Sequence, residues 1–485
     1  MADHYASYHP THFLAELLIR GCIGSHLIMN NALQLGLHWW STWQDRSVNR
    51  RIFAAMITVG GLTVLVKLAA VFKEVVIAHQ FGTSDALDAF LIALVLPQFA
   101  INLIGGSLNA ALIPTYIQVR ERDGQVAAQR LLSSVMVVTA GFLIAMSVIL
   151  ALGASYMLPL LASGFASEKL ALTQSLYYVL LATLVLSGVS TTWGAVLNAG
   201  NRFALVSAVP MTTSIVTVLV VLAIAKDWGS YALAAGMVGG ALIETGLVGW
   251  RLAREGISLV PRWCGMSPAV KQVLEQYSPM VAGAFLMGGT TVVSQSMAAM
   301  LGPGSVSALA YGSKVMNLLL GIGAVAVSTA VLPHFSHLVA TTDWRSLRHT
   351  LVTYSRFLLI ASLPVTAALL YFSEPVVATL FQRGAFTEAD SHLVGQVQAM
   401  YLLQVPLYVV SMLFVRLISA LKANHLMMWG NVINLAICIA LNYFLMQRFG
   451  VVGIALATSL MYLMSSCYLL LVSLRLMKQK AGERG

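Results

Sequence analysis

The chain has 485 residues, 58% hydrophobic and 9% charged, with a mean hydropathy of +0.82 and a formal net charge of +10. Soluble domains carry about 25% charged residues, so a soluble enzyme or binding module is excluded and the composition is that of a polytopic membrane protein. The basic residues collect in short segments between apolar stretches and do not alternate with aromatics, which sets topology and excludes nucleic acid as a partner.

Residues 1–50 hold aromatics, histidines and Arg20, without a basic segment followed by a small-residue cleavage site. They read as a cytoplasmic or interfacial extension rather than a signal peptide. Within it, Phe13 to Leu35 has the make-up of a segment that lies on the membrane or crosses it. A crossing helix needs about 20 apolar residues. On that measure twelve spans follow: 52–74, 87–119, 129–153, 173–199, 203–225 and 231–253, then 274–300, 303–338, 353–373, 394–421, 425–447 and 450–475. The second and eighth are overlong, contain glycines and carry Pro114 and Pro333 near their ends, which predicts bends or tilts.

Eighteen Lys and Arg residues fall on the side of residues 45–51, among them Arg50, Arg120, Arg202, Arg254, Arg345 and Lys478. Four fall on the other side: Lys169, Lys226, Arg383 and Arg448. The asymmetry places both termini in the cytoplasm. It also supports the count of twelve, because one span more or fewer would scramble it.

The two halves resemble each other. The stretch from Phe81 to Tyr116 parallels that from Leu301 to Phe335, each closing on a proline. "GAVLNAGNRF" mirrors "RLISALKANH", and "WGSYALAAG" mirrors "FGVVGIALA". Six spans per half is an even number, so the repeats are parallel, related by an axis along the membrane normal. The chain divides into the extension 1–50, a first lobe 51–253, a cytoplasmic linker 254–273, a second lobe 274–476 and a basic tail 477–485.

Charge at membrane depth is the strongest functional signal. Lys67 and Lys73 lie on the first span and Lys314 on the eighth, in surroundings where a lysine costs roughly 2.5–3.5 kcal/mol. Glu74 follows Lys73 and lies within about 20° of the helix face of Lys67, two turns away. These residues predict a cationic cavity wall with an acidic partner. The competing reading is that Lys73 and Glu74 mark a helix end and snorkel to the headgroups. Tyr311, Ser313 and Asn317 are placed to add polar groups beside Lys314. Asp85 and Asp88 open the second span, where carboxylates also serve the free N–H groups of a first helical turn. Glu244 and Arg416 are the remaining deep charges, suited to pairing between helices, and Gln98, Asn102, Asn109, Gln295, Asn431 and Asn434 suit interhelical hydrogen bonds.

Cys22, Cys264, Cys438 and Cys467 are scattered, with neither a CxxC nor close histidines, and specify no metal site and no disulfide framework. No Walker, HExxH or GxSxG motif faces solvent, so no cofactor or bound nucleotide is expected. An ion gradient or the membrane potential, worth about 2.3 kcal/mol per charge per 100 mV, is left as the driving force.

The stretches "VKLAAVFKEVVIAHQFG", "DAFLIALVLPQF", "AALIPTY", "GAVLNAGNRF", "GSVSALAYGSKVMNLLLGIGAVAVSTAVLPHFS" and "LFQRGAFTEAD" resemble the MurJ/MviN-type lipid II flippases of the multidrug/oligosaccharidyl-lipid/polysaccharide exporter superfamily. The likeness runs from about residue 52 to 475. It implies a V-shaped, two-lobed bundle in the bacterial inner membrane that passes an undecaprenyl-diphosphate-linked saccharide to the outer leaflet by alternating access, acting as a monomer among membrane lipids. It places Lys67, Lys73 and Lys314 where the family carries essential arginines and Asp88 at the family's acidic "DAF" position; with Glu74, read from its place beside the lysines, these are the expected substrate-binding residues, Glu74 and Asp88 holding or releasing the lysines. The family's paired arginines on the second helix fall near Ile101 and Asn102, which are uncharged. Typical members have fourteen spans, the last two forming a groove for the polyprenyl tail, against the twelve read here. A related exopolysaccharide or O-antigen precursor is the neighbouring substrate class. Two other functions compete. A cation-coupled multidrug exporter of the same superfamily would favour buried carboxylates, whereas the deep charges here are mostly positive. A membrane-embedded glycosyltransferase or polymerase would need a large loop with catalytic carboxylates, and the longest external loops, 154–172 and 373–393, are short.

Overall fold

In hydrocarbon every backbone N–H and C=O must find its partner within the segment, so an apolar chain of this kind folds as helices. The computed structural model describes residues 48–200, 202–421 and 423–482, and among them there is no strand. The chain divides into two units, Met1–Val64 and Leu65–Gly485. Of the first, residues 48–64 are helical. Most of the expected extension 1–50, and the last three residues of the basic tail, lie outside the described residues.

The helices, in order, are α1 (Val48–Phe81), α2 (Asp85–Leu161), α3 (Ser167–Ala199), α4 (Phe203–Ala208), α5 (Pro210–Trp228), α6 (Tyr231–Arg254) and α7 (Pro268–Ala299). They continue with α8 (Ser305–Ala340), α9 (Trp344–Tyr371), α10 (Ser373–Phe381), α11 (Glu388–Leu402), α12 (Val405–Ala420) and α13 (Asn424–Gly482). Eight helical stretches are long and apolar enough to cross a membrane. The last of them, Asn424–Lys480, is two crossings, because Gly450 (φ 57°, ψ −137°) breaks α13. Helices α1, α7 and α8, of 34, 32 and 36 residues, complete twelve crossings among the described residues. Gly124 (φ 84°, ψ 175°) separates the second crossing from the third inside α2. Helix α4 with α5 makes the fifth crossing, and α11 with α12 the tenth.

The helices overrun the predicted spans by a turn or two, since hydropathy stops at the first polar turn while the helix does not. Helix α1 runs on to Phe81, so Lys73 and Glu74 lie two turns inside it rather than at its end. Helix α9 starts at Trp344 and includes Arg345 and Arg348.

The repeat is written into the backbone. Gly229, between the fifth and sixth crossings, has φ 53° and ψ −134°, and Gly450, between the eleventh and twelfth, has φ 57° and ψ −137°. The matched sequences "WGSYALAAG" and "FGVVGIALA" place these two glycines at the same position. Side chains are unfavourable at such angles, and glycine adopts them freely.

Large apolar side chains such as Leu152, Leu160, Leu222, Ile360 and Phe444 are exposed along the spans, as a lipid-facing surface requires. Inside, one core centres on α8, α9, α11, α12 and α13 of the second half, around Phe335, Leu413 and Ile454. A second joins α1, α2 and α3 to Tyr311, Phe381 and Phe386 of the second half. A third packs Leu112, Val135 and Leu252 of the first half against Val270 and Val273 of α7.

The two ends of the bundle differ. At the charge-poor end the halves are stitched together: Ala385 N donates to His79 O at 2.8 Å, Ser296 Oγ to Leu161 O at 2.9 Å, and Thr83 Oγ1 bonds Asp390. At the basic end the polar contacts run within the first half and its linker, as in Arg120 to Ala199 O at 3.2 Å and Arg202 to Glu255 at 3.0 Å.

Candidate functional site

Helices α1 and α8, one from each half, bring Lys73, Glu74 and Lys314 together. Glu74 Oε1 lies 3.3 Å from Lys73 Nζ and 3.0 Å from Lys314 Nζ. All three line a cavity of about 230 Å³ whose walls include Phe90 and Leu94 of α2, Thr217 of α5, Met237 of α6 and Tyr311 of α8. Gln98 also faces it, donating to Asn102 Oδ1 at 3.1 Å. The Tyr311 hydroxyl is buried without a hydrogen-bond partner, and its ring packs on Phe381 and Phe386 at 5.2 and 5.5 Å. Such a phenol is a donor in waiting.

One carboxylate between two ammonium groups leaves a surplus positive charge. Each ammonium has three donors, so both lysines keep hydrogen-bonding capacity beyond Glu74. The arrangement therefore suits a polyanion that can displace, or be exchanged for, the Glu74 carboxylate.

The other predicted residues lie elsewhere. Lys67 is exposed on α1, about 9 Å along the axis from Lys73, and no ion pair among the described residues involves it. Asp88 is buried and outside the cavity. Its Oδ2 accepts from Gly304 N and its Oδ1 from Ser307 N, both at 2.8 Å, and Lys169 Nζ lies 3.1 Å from Oδ2 while also bonding Asp85. Asp88 thus serves the start of α8 in the other half, while Ser84 caps its own helix by accepting from Leu87 N. Helix α8 begins at Gly304, with no side-chain cap and no acid in its first turn, and that deficit was the sequence signal of the missing partner. Lys169 was read only as a loop charge.

Ser313 and Asn317, expected beside Lys314, face a different cavity of about 180 Å³ within the second half, with Ser294, Gln295, Gln404 and Tyr462. Glu244 accepts from Thr213 Oγ1 at 2.8 Å and Ser190 Oγ at 3.4 Å, inside the first half. Asn434 donates to Ser465 Oγ at 3.0 Å, the interhelical role expected of it.

A family model for lipid II flippase MurJ matches residues 77–483. The chain belongs to the MurJ lipid II flippase family. A probable lipid II flippase MurJ of Rhizobium meliloti is 27% identical over 415 residues, 82% of this chain and 76% of that protein. The lipid II flippase MurJ of Burkholderia cenocepacia is 27% identical over 355 residues, 71% of this chain and 68% of that protein. Among solved structures, a lipid II flippase MurJ in an inward closed conformation superposes with a TM-score of 0.75 at 22% identity, covering 88% of this chain and 91% of that one. An inward-facing multidrug resistance MATE transporter superposes at 0.68 with 13% identity, covering 88% and 99%. The chain is an all-helical, multi-pass membrane transporter with the MurJ fold.

Proposed function

We propose that this chain flips lipid II, or a closely related polyprenyl-diphosphate-linked saccharide, from the cytoplasmic to the outer leaflet of the bacterial inner membrane. Lys73 and Lys314 hold the diphosphate, and Glu74 is the counter-ion that keeps both lysines charged and in place when the cavity is empty. Lys67 captures the headgroup on its way in. Asp88 acts as a fastener between the halves, since its cation is Lys169 and neither of the two cavity lysines. The basic end faces the cytoplasm with both termini, so the stitched end faces outward. The protein works as a monomer and draws on the membrane potential or an ion gradient.

The observation that carries this reading is that ammonium groups from opposite halves share one carboxylate in one cavity. An anion bound there would touch both halves, and the cavity's surplus positive charge disfavours a cationic drug. Lysine binds phosphate as a point charge, so arginine in its place adds bidentate reach without changing sign.

The test is complementation of a strain depleted of its lipid II flippase. Lys73→Ala and Lys314→Ala are expected to abolish growth while membrane levels stay normal, Lys314→Arg to restore it, and Lys67→Ala to slow transport. Full complementation by both alanine variants would remove the diphosphate role.

A further inference from the structure

A third cavity, of about 400 Å³, lies where α2 and α7 meet near the basic end. Leu108, Val135, Val138 and Phe142 of α2 form one wall, and Val273 and Leu274 of α7 the other. Tightly packed interiors leave voids no larger than a water or so, and this one falls in the size range of ligand pockets. The lining is apolar except for Thr139 and Tyr277, too few polar partners to fill a space of this size with water. Beside a bilayer, a groove of this kind fills with hydrocarbon.

The chemistry around the groove's basic end is selective. Arg130 lies about 7.5 Å before Val135 along the helix axis, and Lys271 one turn before Leu274. The linker is pinned against α2 beside them: Cys264 N donates to Ser134 Oγ at 3.2 Å, and Gln129 exchanges bonds of 3.0 and 3.3 Å with Ser258. That fixes Arg262 and the exposed Trp263 and Met266 at the same level. Exposed tryptophan marks the headgroup region of a bilayer, and clustered basic residues there attract anionic lipids. Among the described residues neither Arg130 nor Arg262 has an ion-pair partner, and Lys271 has only the solvent-exposed Glu275 at 3.7 Å, a contact of little weight.

We infer that this groove binds one anionic glycerophospholipid of the basic-end leaflet, an acyl chain between α2 and α7 and the phosphate among Arg130, Arg262 and Lys271. The groove shares no lining residue with the Lys73–Glu74–Lys314 cavity, and its basic end suits a glycerophospholipid phosphate held apart from that cavity. The lipid bridges the two repeats, since one wall belongs to each.

The test uses the full-length protein purified in detergent containing equal phosphatidylglycerol and phosphatidylcholine, with retained lipid counted by native mass spectrometry. Wild type is expected to hold one phosphatidylglycerol through delipidation. Val138→Trp fills the groove and is expected to lower that retention about tenfold, a difference of about 1.4 kcal/mol. Arg130→Glu with Lys271→Glu, both exposed and neutral to folding, is expected to remove the preference for phosphatidylglycerol. Equal retention of phosphatidylcholine by wild type, retention unchanged in the charge-reversed variant, or displacement of phosphatidylglycerol by equimolar undecaprenyl phosphate would each overturn the assignment.

Discussion

Lys73 and Lys314 each pair with Glu74, which lies between them, whereas Lys67 sits on an exposed face of α1. The three lysines could be singled out from the sequence, because any cation stands out in an apolar run. Their partners could not, because the bonds that decide their roles join residues far apart in sequence. Asp88 shows the difference. Its place in a first helical turn suggested a cap for its own helix, yet it caps α8, more than two hundred positions away. Asp88→Ala removes two charge-assisted hydrogen bonds from a buried helix start and takes one carboxylate from Lys169. A loss of about 2–4 kcal/mol is expected, from about 1.5–3 kcal/mol per bond to a charged group less relaxation. Asp88→Asn should lose less, since its single carbonyl oxygen can still accept one N–H. Thermal unfolding of the purified variants in detergent orders them, and unchanged melting in both would show that α8 finds its cap elsewhere.

At the scale of helices, twelve crossings could be read in order because hydrophobic length is a direct property of sequence. Their ends could not, since polar turns such as that of Arg345 and Arg348 remain helical beyond the apolar run. The repeat was visible as weak matches of sequence, and its physical content is the pair Gly229 and Gly450. Both sit at φ near +55° in open space where an added Cβ would meet nothing. Any effect of substitution there is therefore backbone strain alone, about 1–3 kcal/mol for a residue held outside its favoured region. Gly229→Ala and Gly450→Ala are each expected to lower stability by that amount and by similar degrees, while alanine at Gly141, a helical glycine with open surroundings, should be neutral or stabilising. Equal melting temperatures for all three variants would mean that the turns relax and the shared geometry carries no energetic weight.

Across the whole Leu65–Gly485 unit, polar stitches between the halves concentrate at the charge-poor end, and the cationic cavity lies on the helices that those stitches hold. Alternating access then requires the Asp88 bonds to α8, the Thr83–Asp390 bond and the His79–Ala385 bond to break together. The neutral His79–Ala385 bond contributes about 0.5–1.5 kcal/mol net and each bond to the Asp88 or Asp390 carboxylate about 1.5–3 kcal/mol, so the set holds one state firmly and opening it calls for a bound, charged substrate. A chain with Cys22, Cys264, Cys438 and Cys467 replaced by serine, and with Thr83→Cys and Asp390→Cys introduced, tests this directly. A disulfide-forming crosslinker should join the new cysteines, transport should fall in proportion to the joined fraction, and reductant should restore it. The two single-cysteine chains treated alike should keep transporting, because each gains no tether; Thr83→Cys loses only its bond to Asp390, and Asp390→Cys also loses its bonds from Thr387 at the start of α11. Complete joining with undiminished transport would mean that this end stays shut throughout the cycle, and the substrate would then have to leave sideways between α1 and α8 rather than through a parting of the halves.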